Sequence, residues 1–373
     1  MPTLAPPRLI TTSAQLLAAI EHIRPHRTIA VDTESDSLYV YREKVCLIQI
    51  SIPGTDYLID PLADLDLQPL GRIFANPETQ AIFHACEYDV ICLRRDYNFS
   101  FANLFDTMWA ARILGWPHVG LGDILKEKYG VQVDKRWQRY NWGKRPLEPA
   151  ALSYARFDTH YLRQLQQTQL AELRQTDRLT EAQEVFAELA QSANNARVFD
   201  PDTFWHVKGA WDLRGHAAAI LRRLYILRDH EAKRQNRPPF KIIGDRTLIA
   251  LAQLAPHGTD QLQAIDGLTP LLINRYGKSI LAAIEAGRKD SVPTPPRRPQ
   301  PDQLALARYE KLRGWRKHAA AERGVDPDVI ASNAVLMEVA RRRPHTLGDL
   351  EGIRDLGPWR RGAYGQKLID VIK

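Results

Sequence analysis

Two stretches of this chain are copies of one another. Residues 221–284 align with residues 309–372 at a constant offset of 88, without a gap. Leu224/Leu312, Arg228/Arg316, Leu248/Leu336, Ala252/Ala340, Leu262/Leu350 and Ile265/Ile353 match, as do Pro239/Pro327, Pro256/Pro344, Pro270/Pro358 and Gly277/Gly365. Apolar identities at helical spacing mark a shared core, and the proline identities mark shared turns. Two copies of one small all-α domain are therefore expected, over 208–289 and 303–373. Between them, DSVPTPPRRPQPDQ holds five prolines. It reads as an extended, semi-rigid linker over 290–302.

The first 200 residues have another rhythm. Thr12 or Ser13 can cap a helix reading SAQLLAAIEHI. Short β-rich runs follow: TIAVDTE (28–34), VCLIQISI (45–52), DYLID (56–60), QAIFHA (80–85) and LFDT (104–107). Pro53 and Gly54 part the second run from the third, as a hairpin requires. Helical patterns cover 86–97, 107–115, 120–129 and 149–190. A three-stranded meander followed by helix, strand, helix, strand predicts an α/β domain over 1–200, its mixed sheet flanked by helices.

The two parts differ in charge. Residues 1–200 carry 21 Lys+Arg against 25 Asp+Glu, and residues 201–373 carry 30 against 19, within an overall +7. A basic part invites polyanions, and an acidic part can hold cations. No apolar run reaches the roughly 18–20 residues a membrane span needs. The opening MPTLAPPRLITTSAQ lacks a basic region followed by an apolar stretch, so no secretory signal is expected. Three cysteines without CxxC spacing make no disulfide framework and fit a reducing cytoplasm. RYGKS at 275–279 has Leu272 where a phosphate-binding loop needs glycine. Neither a nucleoside triphosphate nor a membrane is expected as a partner.

Three acidic motifs carry chemistry. Asp32 and Glu34 lie two apart in a predicted strand, so both side chains leave by one face. Acids there are costly to bury unless cations neutralise them, or else they stand solvated at a strand end. Asp89, in HACEYDVICL, lies in the first turns of a helix after the fourth strand. It points over the carboxyl end of the sheet, or simply favours the helix dipole. Tyr154 and Asp158 stand at i and i+4 on one helical face.

A second stretch, VDKRWQRYNWGKRPL (133–147), interleaves Lys135, Arg136, Arg139, Lys144 and Arg145 with Trp137, Tyr140 and Trp142. Cations of this kind hold phosphates while aromatics stack on unpaired bases, so Lys135, Arg136, Arg139 and Trp142 are candidate substrate contacts. Inward-packed aromatics under a solvated basic face are the plain alternative. His84, ahead of Asp89, is either a contact to the substrate end or a satisfied core histidine.

The order of the acids resembles the DEDD family of 3′→5′ exonucleases, in the subclass that carries the tyrosine, and within it the ribonuclease D family. AVDTES, FHACEYDVICL and YARFDTHYL are similar to that family's motifs, and both C-terminal copies resemble the HRDC module. The likeness spans nearly the whole chain, with no departure at Asp32, Glu34, Asp89, Tyr154 or Asp158. It implies a ribonuclease H-like α/β domain followed by two HRDC-like domains. It also implies a 3′→5′ exoribonuclease that releases nucleoside 5′-monophosphates with two divalent cations, Mg²⁺ or Mn²⁺. In that reading Asp32 bridges both ions, Glu34 and Asp158 complete the water-activating side, Asp89 supports the second ion and Tyr154 orients the attacking water. RNA 3′ ends, transfer RNA precursors among them, are the implied partners. The HRDC-like copies are expected to help bind nucleic acid, so that deleting 302–373 raises KM more than it lowers turnover. A DNA exonuclease is the nearest rival, because carboxylate chemistry is indifferent to the sugar. A non-catalytic RNA-binding scaffold is a second, against which the intact acids argue.

Overall fold

The computed structural model describes residues 5–193, 199–296 and 302–373, apart from the side chain of Lys135. Two compact units form. One holds the described residues of 1–35, 45–194 and 300–373, and the other those of 36–44 and 195–299.

The first unit is built on a six-stranded mixed sheet. In chain order the strands are β1 (Arg8–Ile10), β2 (Thr28–Ser35), β3 (Val45–Ile52), β4 (Thr55–Ile59), β5 (Gln80–Phe83) and β6 (Leu104–Asp106). Their order in space is β1-β4-β3-β2-β5-β6. The β2–β3–β4 meander is antiparallel, and β1, β5 and β6 join in parallel. β3 is buried at every position, as a central strand covered on both faces must be. β1 is an edge of three residues, too short to leave a period in the sequence.

Among the described residues, helices α1 (Ser13–Ile23), α2 (Gln68–Phe74), α3 (Glu87–Tyr97), α4 (Thr107–Leu114), α5 (Leu121–Tyr129), α6 (Pro149–Ala155), α7 (Phe157–His160), α8 (Leu162–Gln175) and α9 (Leu179–Ala190) accompany these strands. Thr12 caps α1 in a capping box with Gln15. The helical stretch expected over 149–190 is broken into four pieces. Its first breaks fall at Arg156 and Tyr161. No helix among the described residues is long and apolar enough to cross a membrane.

The second unit contains the first sequence copy: α10 (His216–Arg234), α11 (Asp245–Leu254), α12 (Thr259–Leu262) and α13 (Pro270–Lys289). Leu221, Leu224, Leu248, Leu251, Ile280 and Ile284 form its core. Residues 36–44, which lie in sequence between β2 and β3, belong to this unit. Tyr41 packs against its core, donates its hydroxyl to Asp229 at 2.7 Å, and its backbone N–H reaches Asn236 at 3.2 Å.

The second copy is α14 (Gln303–Arg323), α15 (Pro327–Ile330), α16 (Asn333–Arg342) and α17 (Pro358–Ile372). The offset of 88 survives in three dimensions. Arg228 donates to Ile243 O and Asp245, and Arg316 donates to Ala331 O and Asn333. Ala255 and Arg343 both turn left-handed, with φ of 42° and 49°. This copy is part of the first unit, where Val329 enters the core of the sheet domain. Arg323 pairs with the fully buried Glu181 at 2.6 Å, Arg360 reaches Glu188 at 3.1 Å, and Arg112 pairs with Asp328.

Candidate active site

Strand periodicity builds one wall of the site. Ile29 and Val31 are buried in the core, and Asp32 and Glu34 follow on a strand that pairs with β3 on one side and β5 on the other. The register shifts between Glu34 and Ser35. Irregularities of this kind end pairing and re-aim side chains beside active sites.

Helices α6 and α7 cover that face and bring Tyr154 and Asp158 over it. Carboxylate oxygens of Asp32, Glu34 and Asp158 lie within 4.8 Å of one another. Asp89 comes from the first turn of α3 and is nearly buried. Ala85, at φ 63°, turns the chain left-handed between β5 and that helix. Thr33, whose backbone lies between the two strand acids, donates its hydroxyl to Asp89.

The electrostatics follow from crowding. Burial pushes Asp89 and Asp158 each up to about 7, with the charge of Asp89 adding to the rise at Asp158. Asp32 rises well above the usual carboxylate range through burial and the charges of Asp89, Asp158 and Glu34. Glu34 rises through burial, Asp158 and Asp89. Burial and the charges of Asp158, Glu34 and Asp32 push the Tyr154 phenol up, so it stands protonated. Four like charges in so small a space resist ionisation. A donor set of carboxylate oxygens fits a hard divalent cation and would be relieved by it.

Several side chains fasten this arrangement that pattern reading passed over. Asp56, buried at the start of β4, accepts from Arg156 at 2.6 Å, His160 at 2.9 Å and Ser51 at 2.7 Å. The Ser51 hydroxyl also lies 2.7 Å from that of Thr159. Arg156, Thr159 and His160 flank Asp158, so α7 is fixed to the sheet around its catalytic candidate. The only sequence trace was an acid opening a strand otherwise made for the core.

Within the stretch 133–147, Trp142 is placed differently from its expected role. Trp142 is only 1% exposed, and its ring lies against those of Tyr140 and Tyr154. It offers no face to a base, which corrects that expectation: its size and apolarity are used in packing behind Tyr154. Arg145 makes two 2.6 Å bonds to Asp60 and one of 2.7 Å to Cys46 O. It pins the stretch to β3 and β4 rather than facing solvent. Arg136 is exposed and paired with Asp134, and Arg139 is exposed on the same short 3₁₀ turn, Lys135–Arg139. The side chain of Lys135 is outside the described set. His84 is half-buried, with Nδ1 2.9 Å from the Thr107 hydroxyl. Asp106 is structural, accepting from Cys86 N and Trp109 N at 2.7 and 2.9 Å.

Comparison with known proteins bears on this geometry. The family model described as 3′-5′ exonuclease matches residues 7–174, and that of the HRDC domain matches 217–284 and 305–372. A ribonuclease D of Jannaschia sp. is 30% identical over 380 residues, across 98% of this chain and 95% of its own. The chain belongs to the ribonuclease D family. A second relative, the ribonuclease D of Pseudomonas paraeruginosa, is 29% identical across 98% of this chain and 97% of its own. The crystal structure of Escherichia coli RNase D shares the fold, with a TM-score of 0.73 at 23% identity over 99% of both chains. As a member of this family the chain is a hydrolase, a 3′→5′ exoribonuclease that depends on divalent metal and acts on RNA.

Proposed function

We propose that this chain trims structured RNAs, transfer RNA precursors in particular, one nucleotide at a time by two-cation hydrolysis in the Asp32, Glu34, Asp89 and Asp158 cluster. The observation that carries the reading is the meeting of Asp32, Glu34 and Asp158 oxygens within 4.8 Å, with Asp89 beside them. Bound cations, Mg²⁺ or Mn²⁺ by donor chemistry, offset the charge that grows on the entering and leaving oxygens of a phosphodiester. Asp32, whose charge is coupled to the other three acids, would help hold them. Glu34 and Asp158 would hold a cation on the side of the attacking water, and Asp89, steadied by Thr33, would support a second. Tyr154 acts as a neutral phenol. It orients the attacking water while Trp142 backs its ring. Arg136 and Arg139 are offered as exposed contacts to the RNA backbone near this face.

We assign the exonuclease to 1–200 and the two HRDC-like copies to 208–289 and 303–373, joined by 290–302. Cysteines 46, 86 and 92, all buried and without CxxC spacing, favour a reducing cytoplasm. The deciding experiment uses 5′-labelled RNA with a 3′ overhang and its DNA counterpart, each with Mg²⁺ or Mn²⁺. A one-nucleotide ladder on RNA with nucleoside 5′-monophosphate products, silenced by EDTA, is expected. A preference for the DNA strand would instead make it a DNA exonuclease, and activity in excess EDTA would end the metal mechanism.

A further inference from the structure

One row of side chains crosses four adjacent strands on the face that carries the acids. From β1 to β2 it reads Leu9, Leu58, Gln49, Asp32. Residues paired across strands project to the same face, close enough to interact. Leu58 is fully buried, and Leu9 packs beside it in the apolar cluster that holds Tyr154. Gln49 is also 0% exposed, yet neither its amide nitrogen nor its amide oxygen has a hydrogen-bond partner. A buried, unpaired amide is unfavourable, and leucine, used twice in the same row, fills such a place without that cost. The amide stands next to the acid at the centre of the cluster, under the helix that delivers Asp158.

We propose that Gln49 is a positioning residue of the carboxylate site, its amide N–H serving the ionised, cation-holding state of Asp32, directly or through one ordered water. The inference rests on the reading of the cluster as a metal site. An N–H donor beside a carboxylate favours the charged form and fixes which oxygens face the ion, without introducing a competing positive charge. An amide does this where lysine would displace the cation and leucine would leave Asp32 unoriented.

The test is Mn²⁺ binding alone, by calorimetry, with thermal melting of the cation-free protein, for wild type, Gln49→Leu, Gln49→Met and Asp32→Asn. Both Gln49 variants should melt at or above wild type without cation, because an unpaired amide has been removed. Both should bind Mn²⁺ about 10–100-fold more weakly, the usual loss when a supporting partner of a metal ligand is removed. Turnover on RNA should fall with KM little changed. Wild-type affinity for Mn²⁺ in a folded Gln49 variant overturns the proposal, while loss of binding in Asp32→Asn would leave the metal site itself standing. Failure of Gln49→Leu to fold passes the decision to Gln49→Met, which keeps an unbranched side chain. Failure of both makes Gln49 a purely structural residue and overturns the proposal too. Absence of Mn²⁺ binding in wild type removes the metal-site reading and this inference with it.

Discussion

The acids of the site work against the fold that presents them. A carboxyl held near 7 in the native protein, as Asp89 and Asp158 are, binds its proton more tightly there than in the unfolded chain. Its stabilising effect is complete below the unfolded value of about 4 and is lost as pH rises through about 7. Cation-free protein should therefore lose melting temperature between about pH 5 and pH 7, and Mg²⁺ or Mn²⁺ should raise it more at the upper end. Melting curves at both pH values, with EDTA or with cation, check this; an equal gain at each would count against it. Asp158→Asn removes one of the crowded charges and should melt no lower than wild type without cation. Its kcat should nonetheless fall by at least about 10²–10³-fold, the scale of losing one electrostatic stabiliser of a transition state. Stability rising while activity disappears would identify Asp158 as a group kept for chemistry.

At the scale of the element, α7 is four residues long and could not hold a place by itself. Its seat is the carboxylate of Asp56. Burial alone would raise that group, yet hydrogen bonds from His160 and Ser51 and the charge of Arg156 hold it below the usual range. Asp56 thus adds stability above the unfolded carboxyl value, and this is lost as pH falls through its depressed value. Asp56→Ala leaves Arg156 buried without its partner and should cost about 3–5 kcal/mol. It should also lower turnover, because Asp158 loses its frame; denaturant melts together with kcat measure both effects. Little of this was readable beforehand. The period-two spacing of Asp32 and Glu34 and the i, i+4 spacing of Tyr154 and Asp158 are local, so the sequence displays them. The Ser51–Asp56–Arg156 connection joins residues about a hundred positions apart, and no local period encodes it. β1 and α2 were missed for a related reason, being short pieces held by pairing and packing. Trp142 misled because an aromatic amid cations looks the same whether its ring faces a base or a tyrosine.

For the whole molecule, the two HRDC-like copies have diverged where one of them meets the exonuclease. Arg323, Asp328 and Arg360 of the second copy stand at the positions of Gln235, Phe240 and Leu272 in the first. These three side chains pair with Glu181, Arg112 and Glu188 within the first unit. Gly357 lets α17 approach so closely that a Cβ there would fall 2.3 Å from the Glu184 carboxyl carbon. Deleting 302–373 is therefore expected to destabilise the exonuclease, not merely to weaken RNA binding as the charge distribution suggested. A milder form of the test is Arg323→Met, which strands Glu181 in the interior and should cost about 3–5 kcal/mol by thermal or urea melting. An unchanged melting point would return the second copy to a role in RNA binding. The first copy has a different dependence, since Tyr41, one of its packing residues, precedes its Asp229 partner by 188 positions. At a synthesis rate of roughly 5–20 residues per second, that tyrosine is made about 10–40 seconds before its acceptor exists. A fragment beginning at residue 208, however carefully trimmed, is born without it.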